Sequence, residues 1–445
     1  MEIIIKALQF FLSLSLLVLV HELGHYAMAR LFKVRVEKFY IFFNPWFSIF
    51  KFHRGDTEYG LGWLPLGGFV KISGMIDESM DLASMKEPPK PHEFRSKPAW
   101  QRLLIMIGGV MVNILFAFLL YGLILYAWGE RYLPAANAKY GVVADSLFHD
   151  AGIRDGDIIL ALDGKQVDDF ASIVGTILLD EVSDVQLLRD GEPLTVTLPP
   201  SFRRALLASS SKSFKRKNYL APRCLYTGEI AQFSRQSPAR EAGLLENDRI
   251  LALDGETFTY ADESNAFIQS RRGDTLSAHV LRGTDTLAIA LPVGSDGLIG
   301  IYWRLKDDLV YVSRDFSLLA AIPAGCRMGV ERISGYLKQF KLFKDPEALK
   351  SMGGFISIGS IFPGQWYWPS FWEMTALLSI VLGVMNLLPI PAMDGGHVLF
   401  LLYEMVTRRK PSDRFLEKAQ VAGMIFILFL LIFANGNDLL KWLAG

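Results

Sequence analysis

His21-Glu22-Leu23-Gly24-His25 is the stretch that decides the architecture of this 445-residue chain, because it ends a long apolar run. On an α-helix, residues four apart share a face, so His21 and His25 can direct ring nitrogens at one metal ion. The carboxylate of Glu22 lies beside them and can accept a proton from metal-activated water. The stretch predicts a hydrolytic zinc site on a membrane helix, in preference to two core histidines spaced this way by chance.

The composition predicts an integral membrane protein with water-soluble parts. Hydrophobic residues make up 51% of the chain, and a formal net charge of zero gives no indication of nucleic-acid binding. The first apolar run leads directly into His21 without a small-residue cleavage site, so we expect it to be retained. A spanning helix needs about 20 residues. Four segments are candidates, of which the last is the shortest: residues 3–32, 103–128, 371–388 and 419–434.

The distribution of Lys and Arg predicts the orientation. The link between the first two spans and the short link between the last two are both rich in these residues, whereas the N-terminus offers only Lys6. Both links are therefore expected in the cytoplasm, with the termini and the long segment between spans two and three outside. His21 and His25 are then expected within the membrane, near its cytoplasmic face. Cys224 and Cys326 fall outside, where a disulfide is allowed but not indicated by their spacing.

A catalytic zinc usually has three protein ligands, so one more ligand is required. Asp394 is the best candidate, because Pro389 and Pro391 interrupt the third span just before it, and Gly395 and Gly396 follow. Non-helical backbone at membrane depth is tolerated where it is buried in protein or lines a wet cavity. The alternative is that Asp394 caps the N-terminus of a helix that restarts at Gly395.

Three further polar residues are candidates for a role at the site. His397 is a rival metal ligand, although a supporting role is the favoured interpretation. Asn113 and Asn386 lie within the second and third spans, where each could join helices by hydrogen bonds or orient the substrate carbonyl or a metal ligand.

The paired segments resemble the signatures of the site-2 proteases, peptidase family M50, and in particular the bacterial PDZ-containing type known as regulator of sigma-E protease. The matching segments are HELGH at 21–25 and NLLPIPAMDGGH at 386–397. The resemblance implies that His21, His25 and Asp394 bind Zn²⁺ and that Glu22 is the general base. Two positions depart from the family pattern: Val110 and Phe355 each stand where proline is usual.

Residues 59–71 are similar to the membrane re-entrant β-hairpin of that family. From the residues themselves, 49–52 and 59–72 are predicted to form a hairpin that turns near residues 54–56. Gly67 and Gly68 would allow a substrate backbone to approach closely, and the exposed strand edge would bind an unwound substrate as an added strand. The alternative is an ordinary cytoplasmic hairpin that covers the membrane surface.

The segment between spans two and three contains an internal repeat, in which residues 150–164 reappear as 241–255. Both copies resemble PDZ domains, so two mixed α+β domains are expected outside the membrane. The strands near 141–143 and 228–230 resemble those that pair with a peptide. The PDZ pair is expected to filter substrates by size or to bind their outer portion, and the sequence does not decide between the two. A basic, serine-rich stretch at 209–217 predicts a flexible linker.

Arg327 to Lys350 could form an amphipathic helix that lies on the outer membrane surface or packs on the second PDZ domain. The predicted fold is thus a membrane core of four transmembrane helices with a re-entrant β-hairpin, plus two extracytoplasmic PDZ domains. The boundaries are: first span 1–32, β region 33–102, second span 103–128, PDZ domains 129–208 and 223–306 with a linker at 209–222, connector 307–370, third span 371–400, cytoplasmic loop 401–418, and fourth span with C-terminus 419–445.

The residues and the resemblance together predict a zinc-dependent intramembrane endopeptidase of the bacterial inner membrane. The expected substrates are single-span membrane proteins already shortened by another protease, such as an anti-sigma factor, or remnant signal peptides. The expected partners are these substrates and the lipid bilayer, with peptide contacts through the PDZ pair and no nucleic acid. A catalytically idle PDZ scaffold and a metal carrier are the alternatives. The four residues His21, Glu22, His25 and Asp394 together argue against the scaffold, and a single polar cluster argues against the carrier.

Overall fold

The computed structural model describes residues 1–64, 67–75, 88–210, 218–304, 306, 309–346, 348 and 352–444. Within these ranges the chain forms two compact units. The helical unit contains the described residues of 1–130 and 314–445, and the repeat unit contains those of 131–209 and 218–313. The predicted linker is in large part, at 211–217, outside the described residues.

The α-helices, in chain order, are α1 Glu2–Leu31, α2 Ala99–Trp128, α3 Ser146–Asp150, α4 Ile173–Leu179, α5 Phe202–Ser210, α6 Pro238–Glu241, α7 Ala261–Ser270, α8 Leu318–Gln339, α9 Phe355–Ser360, α10 Trp368–Leu387, α11 Asp394–Thr407 and α12 Asp413–Ala444. Short 3₁₀ turns occupy Phe94–Ser96, Ala135–Asn137, Phe170–Ser172 and Phe340–Lys344.

The β-strands are β1 Val36–Ile41, β2 Phe50–Arg54, β3 Thr57–Leu61, β4 Phe69–Ile72, β5 Glu130–Tyr132, β6 Val142–Ala144, β7 Ile158–Leu162, β8 Lys165–Gln166, β9 Asp184–Arg189, β10 Glu192–Thr197, β11 Leu220–Pro222, β12 Ile230–Phe233, β13 Arg249–Leu253, β14 Thr275–Arg282, β15 Asp285–Pro292, β16 Ile301–Trp303 and β17 Val312–Arg314.

Among the described residues, four helices are long and apolar enough to cross a membrane, as the sequence predicted. They are Glu2–Leu31, Ala99–Trp128, Trp368–Leu387 and Arg414–Lys441. The fourth is much longer than the predicted run 419–434, because the helix continues through polar residues at both of its ends. The third span ends at Leu387, and the DGG segment belongs to the separate helix α11.

Helix α2 is the centre of the helical unit, where it packs against α1, α8, α10 and α11. Its close approach to α1 depends on two glycines that face each other. A Cβ atom added to Gly108 would lie 2.8 Å from the carbonyl oxygen of Gly24, and one added to Gly24 would lie 2.8 Å from the Cα of Gly109. Small residues allow membrane helices to approach closely. The glycine within HELGH therefore fixes the distance between the histidine helix and α2.

The β region forms a four-stranded sheet with the strand order β2-β3-β1-β4. Strands β2 and β3 form the predicted hairpin, which turns at residues 55–56. The prediction that residues 59–72 form a single strand, the second arm of the hairpin, was wrong. It is divided into β3, which pairs parallel with β1, and β4, which pairs antiparallel with β1. Strand β1 was not predicted, and its pairing explains why the arm divides: each half contacts a different edge of β1.

The helix that the sequence predicted at 327–350 is present in part, with different bounds. Helix α8 begins at Leu318 and packs along α2 within the helical unit. Ala321, Gly325 and Gly329 are its buried residues, and they repeat every four positions. This stripe meets Gly122 and the ring of Phe118 on α2. Small residues at this spacing let two helices pack closely, which is the physical reason for the location.

The repeat unit contains two α+β copies, each with its own core. The first copy has the sheet order β10-β9-β7-β8, and its core includes Phe148, Ile159 and Val185. The second copy has the order β13-β14-β15, and its core includes Ile250 and Leu276. The sequence repeat is therefore a structural repeat.

The same ion pair recurs in both copies. Asp157 accepts hydrogen bonds from Arg189 Nε and Nη2 at 2.8 and 2.7 Å, and Asp248 accepts from Arg282 Nε and Nη2 at 2.8 and 2.6 Å. Each arginine also donates to a glycine carbonyl: Arg189 to Gly152, just after α3, and Arg282 to Gly243, just after α6. The pair joins a strand to a turn at the equivalent place in each copy.

The strands predicted to pair with a peptide already have partners within the chain. Strand β6 pairs with β11, and β12 pairs with β16, both antiparallel. A further strand could therefore add only at the outer edges of these two-stranded sheets.

Candidate metal centre

Three side chains from two distant segments meet in the helical unit. The Nε2 atoms of His21 and His25 lie 3.2 Å apart, and Asp394 Oδ2 lies 3.1 Å from the first and 3.2 Å from the second. Both histidines are buried. These residues could hold a metal ion. The third residue is the carboxylate that the sequence predicted, brought to the histidines by the fold.

The spacing of these three atoms suits tetrahedral zinc. Zinc binds histidine nitrogen and carboxylate oxygen at about 2.0–2.2 Å, which places neighbouring ligand atoms of a tetrahedron about 3.3 Å apart. The three observed distances, 3.1 to 3.2 Å, are close to that value. Asp394 Oδ2 is buried and has no hydrogen bond of acceptable geometry among the described residues. A cation between the three atoms would satisfy that oxygen.

The loop before α11 explains how Asp394 reaches the histidines. Helix α10 ends at Leu387, and residues 388–393 connect it to α11, whose first residue is Asp394. A Cβ at Gly396 would lie 2.6 Å from the carbonyl oxygen of Ile390 and 2.7 Å from Pro391 Cα, so the loop folds tightly against the start of α11. The capping alternative for Asp394 is wrong, because the N-cap residue is Met393.

Each histidine is oriented by a contact at its other ring nitrogen. His25 Nδ1 lies 2.9 Å from the carbonyl oxygen of Ile105, and His21 Nδ1 lies 3.2 Å from Asn113 Nδ2. A histidine that binds metal through Nε2 carries its proton on Nδ1, which must find an acceptor. Asn113 Oδ1 is buried and lacks a hydrogen-bond partner among the described residues. Rotating this amide by half a turn, an assignment that hydrogen-bond networks decide, pairs Oδ1 with the Nδ1–H of His21.

Asn386 also reaches the cluster. Its Nδ2 lies 3.2 Å from His21 Nε2, on the side of the ring that faces Asp394. An amide at this distance can donate to an oxygen bound at the centre. Both predicted asparagines therefore contact His21, Asn113 at its Nδ1 and Asn386 at its Nε2.

Glu22 is half-buried next to the triad, and the backbone N–H of Val70 on β4 lies against its carboxylate. A Cβ at Gly68 would lie 3.4 Å from Glu22 Cγ and 2.9 Å from Val18 Cγ1, so only glycine lets β4 approach α1 this closely. Gly67 has a φ of 151°, which also favours glycine. The two glycines that the sequence singled out therefore bring a strand to the general-base candidate.

Two features of the site were not identified from the sequence. Gly109 provides the space for the imidazoles, since a Cβ there would lie 2.7 Å from His21 Cε1 and clash with His25 Nε2. The carbonyl of Ile105 orients His25. The Gly108-Gly109 pair was a visible signal for the first, but a backbone carbonyl leaves no signal in the sequence. His397, the rival ligand, is not among the three residues of the cluster and lines a separate cavity.

Two helical histidines, a distant carboxylate and an adjacent glutamate, carried by apolar helices, define a membrane metalloprotease. The chain matches the family model of peptidase family M50 over residues 9–430 and belongs to that family.

Relatives of similar length agree with this assignment. Metalloprotease MmpA of Caulobacter vibrioides is 27% identical, over 96% of this chain and 94% of its own length. Regulator of sigma E protease of Haemophilus influenzae is 27% identical, over 97% and 98%. A Neisseria meningitidis protein with a zinc metalloprotease name is 29% identical, over 98% and 99%. The prediction of an M50 metalloprotease with transmembrane helices is therefore confirmed.

Proposed function

We propose that the protein is a zinc-dependent endopeptidase that cleaves single-span membrane proteins within or beside their transmembrane helix, after another protease has trimmed them. Anti-sigma factors and remnant signal peptides are the proposed substrates. The observation that carries this proposal is the meeting of His21, His25 and Asp394 beside Glu22, on helices long enough to span a membrane.

Each residue of the metal centre has a separate role in the proposed hydrolysis. His21, His25 and Asp394 would hold Zn²⁺, which when bound lowers the pKa of water and polarises a carbonyl. Glu22 accepts the proton of the attacking water and delivers it to the leaving amine. Asn386 donates a hydrogen bond towards the carbonyl oxygen of the scissile peptide, and Asn113 holds the ring of His21 in place.

Strand β4 is the proposed receptor for the unwound substrate. A substrate helix must lose its internal hydrogen bonds before cleavage, and each unmet backbone group in lipid costs several kcal/mol. Strand β4 is at the end of its sheet, with β1 on one side, and Gly68 brings it next to Glu22. Adding the substrate as a further strand would replace the lost bonds and place a peptide bond near the metal.

The two repeat copies are proposed to be PDZ domains on the periplasmic side of the bacterial inner membrane, with the metal centre near the cytoplasmic side. Their shared sequence motif and α+β cores support this assignment. The outer edges of β11 and β16 could bind an extended peptide. We propose that the pair acts as a size filter that excludes substrates with a bulky outer domain.

The catalytic proposal is tested with purified full-length protein and a single-span substrate that has a short outer tail. Glu22→Gln should lower the cleavage rate about 10²–10⁴-fold, the usual contribution of a general base, while bound zinc stays at the wild-type level. Glu246→Gln, the same change at an exposed position of the repeat unit, is the matched control. Cleavage by Glu22→Gln at the wild-type rate would reject the proposed base, and an absence of zinc in the active wild type would reject the metal.

The filter is tested separately, with one substrate in trimmed and untrimmed form. The full-length protein should cleave only the trimmed form, whereas a variant that lacks residues 133–303 should cleave both. The same deletion combined with Glu22→Gln shows whether the cleavage comes from this protein. If the deletion variant still distinguishes the two forms, the repeat unit is not the filter.

A further inference from the structure

A short junction, residues 223–226, joins the two copies of the repeat unit. It follows β11, which pairs with β6 of the first copy and ends at Pro222. The serine-rich stretch that the sequence predicted as a flexible linker, 209–217, comes before β11 in the chain. Movement of one copy against the other therefore depends on the contacts that residues 223–226 make.

The backbone of the junction is hydrogen-bonded to both copies. The N–H of Arg223 donates to the carbonyl of Gly141 in the first copy at 2.9 Å. The carbonyl of Cys224, the next residue, accepts from the N–H of Ala261 in the second copy at 3.0 Å. Adjacent residues of the junction are thus attached to different copies, so a change in the relative position of the copies would strain or break backbone hydrogen bonds.

The side chain of Arg223 crosses to the start of α7 in the second copy. Its Nε lies 3.1 and 3.0 Å from the two carboxylate oxygens of Asp262, and its Nη2 donates to Asp262 Oδ2 at 2.9 Å and to Glu263 Oε1 at 3.1 Å. The guanidinium carbon lies 3.7 Å from the centre of the Tyr260 ring. A planar guanidinium suits this arrangement, because it can pair with a carboxylate at two points and also stack on an aromatic ring. These four residues form the Arg223 clamp.

The first copy also approaches the guanidinium. A Cβ added to Gly156 would lie 3.4 Å from Arg223 Nη1, and the ring centre of Tyr140 lies 5.8 Å from that of Tyr260. The side chains of Arg223 and Asp262 are only 15% and 13% exposed. Exposed ion pairs contribute little to stability, but a pair this far removed from solvent is costly to separate, because each charge would lose its partner.

We propose that the Arg223 clamp holds the two copies as one rigid body and thereby determines which substrates the repeat unit excludes. Two copies that moved independently would let a bulky outer domain pass whenever they separated, whereas a rigid pair excludes it at all times. Arg223 acts here as a positioning residue for selectivity. The effect on selectivity rests on the size filter proposed above, but the rigidity of the pair can be measured without any substrate.

Rigidity is tested by double electron–electron resonance on the full-length protein in detergent. Spin labels are attached through unnatural amino acids at Gln166 in the first copy and Thr286 in the second, both of which are exposed. This labelling leaves the native Cys224 and Cys326 unchanged. The wild type should give a single narrow distribution of distances between the two labels.

Two substitutions loosen the clamp to different extents. Arg223→Ala removes the guanidinium, and Asp262→Asn removes the charge of its main partner at nearly constant size, so both should broaden the distance distribution and Arg223→Ala should broaden it more. Arg304→Ala is the matched control, because Arg304 pairs with Glu229 inside the second copy. Its distribution should keep the wild-type width. Hydrogen exchange shows whether each copy stays folded, and Asp262→Asn decides the question if Arg223→Ala unfolds. A wild-type width in the folded clamp variants overturns the proposal.

The effect on selectivity is tested with the trimmed and untrimmed forms of one substrate. Arg223→Ala should cleave the trimmed form within about twofold of the wild-type rate, because the clamp shares no residue with the metal centre. The ratio of trimmed to untrimmed cleavage should fall towards one in Arg223→Ala and stay at the wild-type value in Arg304→Ala. A broadened distribution with an unchanged ratio would reject the role in selectivity. Equal cleavage of both forms by the wild type would reject the filter itself, while the distance distributions would still decide whether the clamp holds the copies together.

Discussion

Carboxylates in the two units differ in their hydrogen bonding, and this difference distinguishes a ligand site from a structural contact. Asp157 and Asp248 in the repeat unit are 1% and 2% exposed, and every oxygen of either carboxylate accepts a hydrogen bond from arginine or backbone. Asp394 in the helical unit faces two imidazoles with one oxygen that has no hydrogen bond of acceptable geometry among the described residues. A saturated carboxylate holds a fold together, whereas one left with an unmet lone pair is available for a ligand.

Substitution of Asp394 is expected to have the largest effect on zinc binding and cleavage. Asp394→Ala removes the only carboxylate of the metal cluster, so zinc retention should fall and cleavage should decrease by about a thousandfold or more, since both the metal and its activated water are lost. Zinc is measured by elemental analysis and cleavage on the trimmed substrate. Asp248→Ala is the control, because it removes a buried, fully hydrogen-bonded carboxylate from the repeat unit. If Asp248→Ala lowers zinc content as much as Asp394→Ala does, the distinction between the two kinds of carboxylate is broken.

Asn113 extends the same comparison to an amide. Its side chain is fully buried and its Oδ1 lacks a partner among the described residues, so it is available to accept from His21. Asn113→Leu should lower zinc affinity about 10- to 100-fold, the usual cost of losing the group that orients a ligating histidine. Competition with a chelator measures the affinity. Ser379→Ala removes a hydrogen bond to the backbone carbonyl of Asn113 and leaves its side chain intact, so zinc affinity should be unchanged there.

The metal centre was predictable in part because its core is local. His21, Glu22 and His25 lie within two turns of one helix, where periodicity alone decides which side chains share a face. Asp394 was found because prolines and glycines interrupt an apolar span. The packing of α8 on α2 was not predictable: the small residues Ala321, Gly325 and Gly329 are visible in the sequence, but their partner helix is set by contacts between distant segments. Strand β1 was missed for the same reason.

In the repeat unit, removal of a saturated carboxylate should lower stability and leave the chemistry unchanged. Asp248→Ala leaves the backbone N–H of Leu245 without its acceptor, which costs about 1 kcal/mol, the lower end of the range for buried donors, because this contact is only part-buried. Hydrogen exchange on the full-length protein should show faster exchange confined to the second copy, residues 230–303. Asp157→Ala should produce the same change in the first copy. Spread of the faster exchange into the helical unit would contradict this prediction.

The smallest predicted effect is the pH dependence of stability that comes from the ion pair between Asp248 and Arg282. The hydrogen bond from Arg282 holds the pKa of Asp248 below its usual value, against the opposing effect of burial. A carboxyl whose pKa is lowered by folding stabilises the native state above its unfolded pKa of about 3.9, and that stabilisation is lost as the pH falls through the lower, folded value. Exchange in the second copy, corrected for intrinsic rates, should therefore be constant from about pH 7 to pH 5 and accelerate below about pH 4. Asp248→Asn cannot titrate, so this part of the acceleration should be absent from it, and identical pH profiles would show that the carboxylate does not contribute to acid lability.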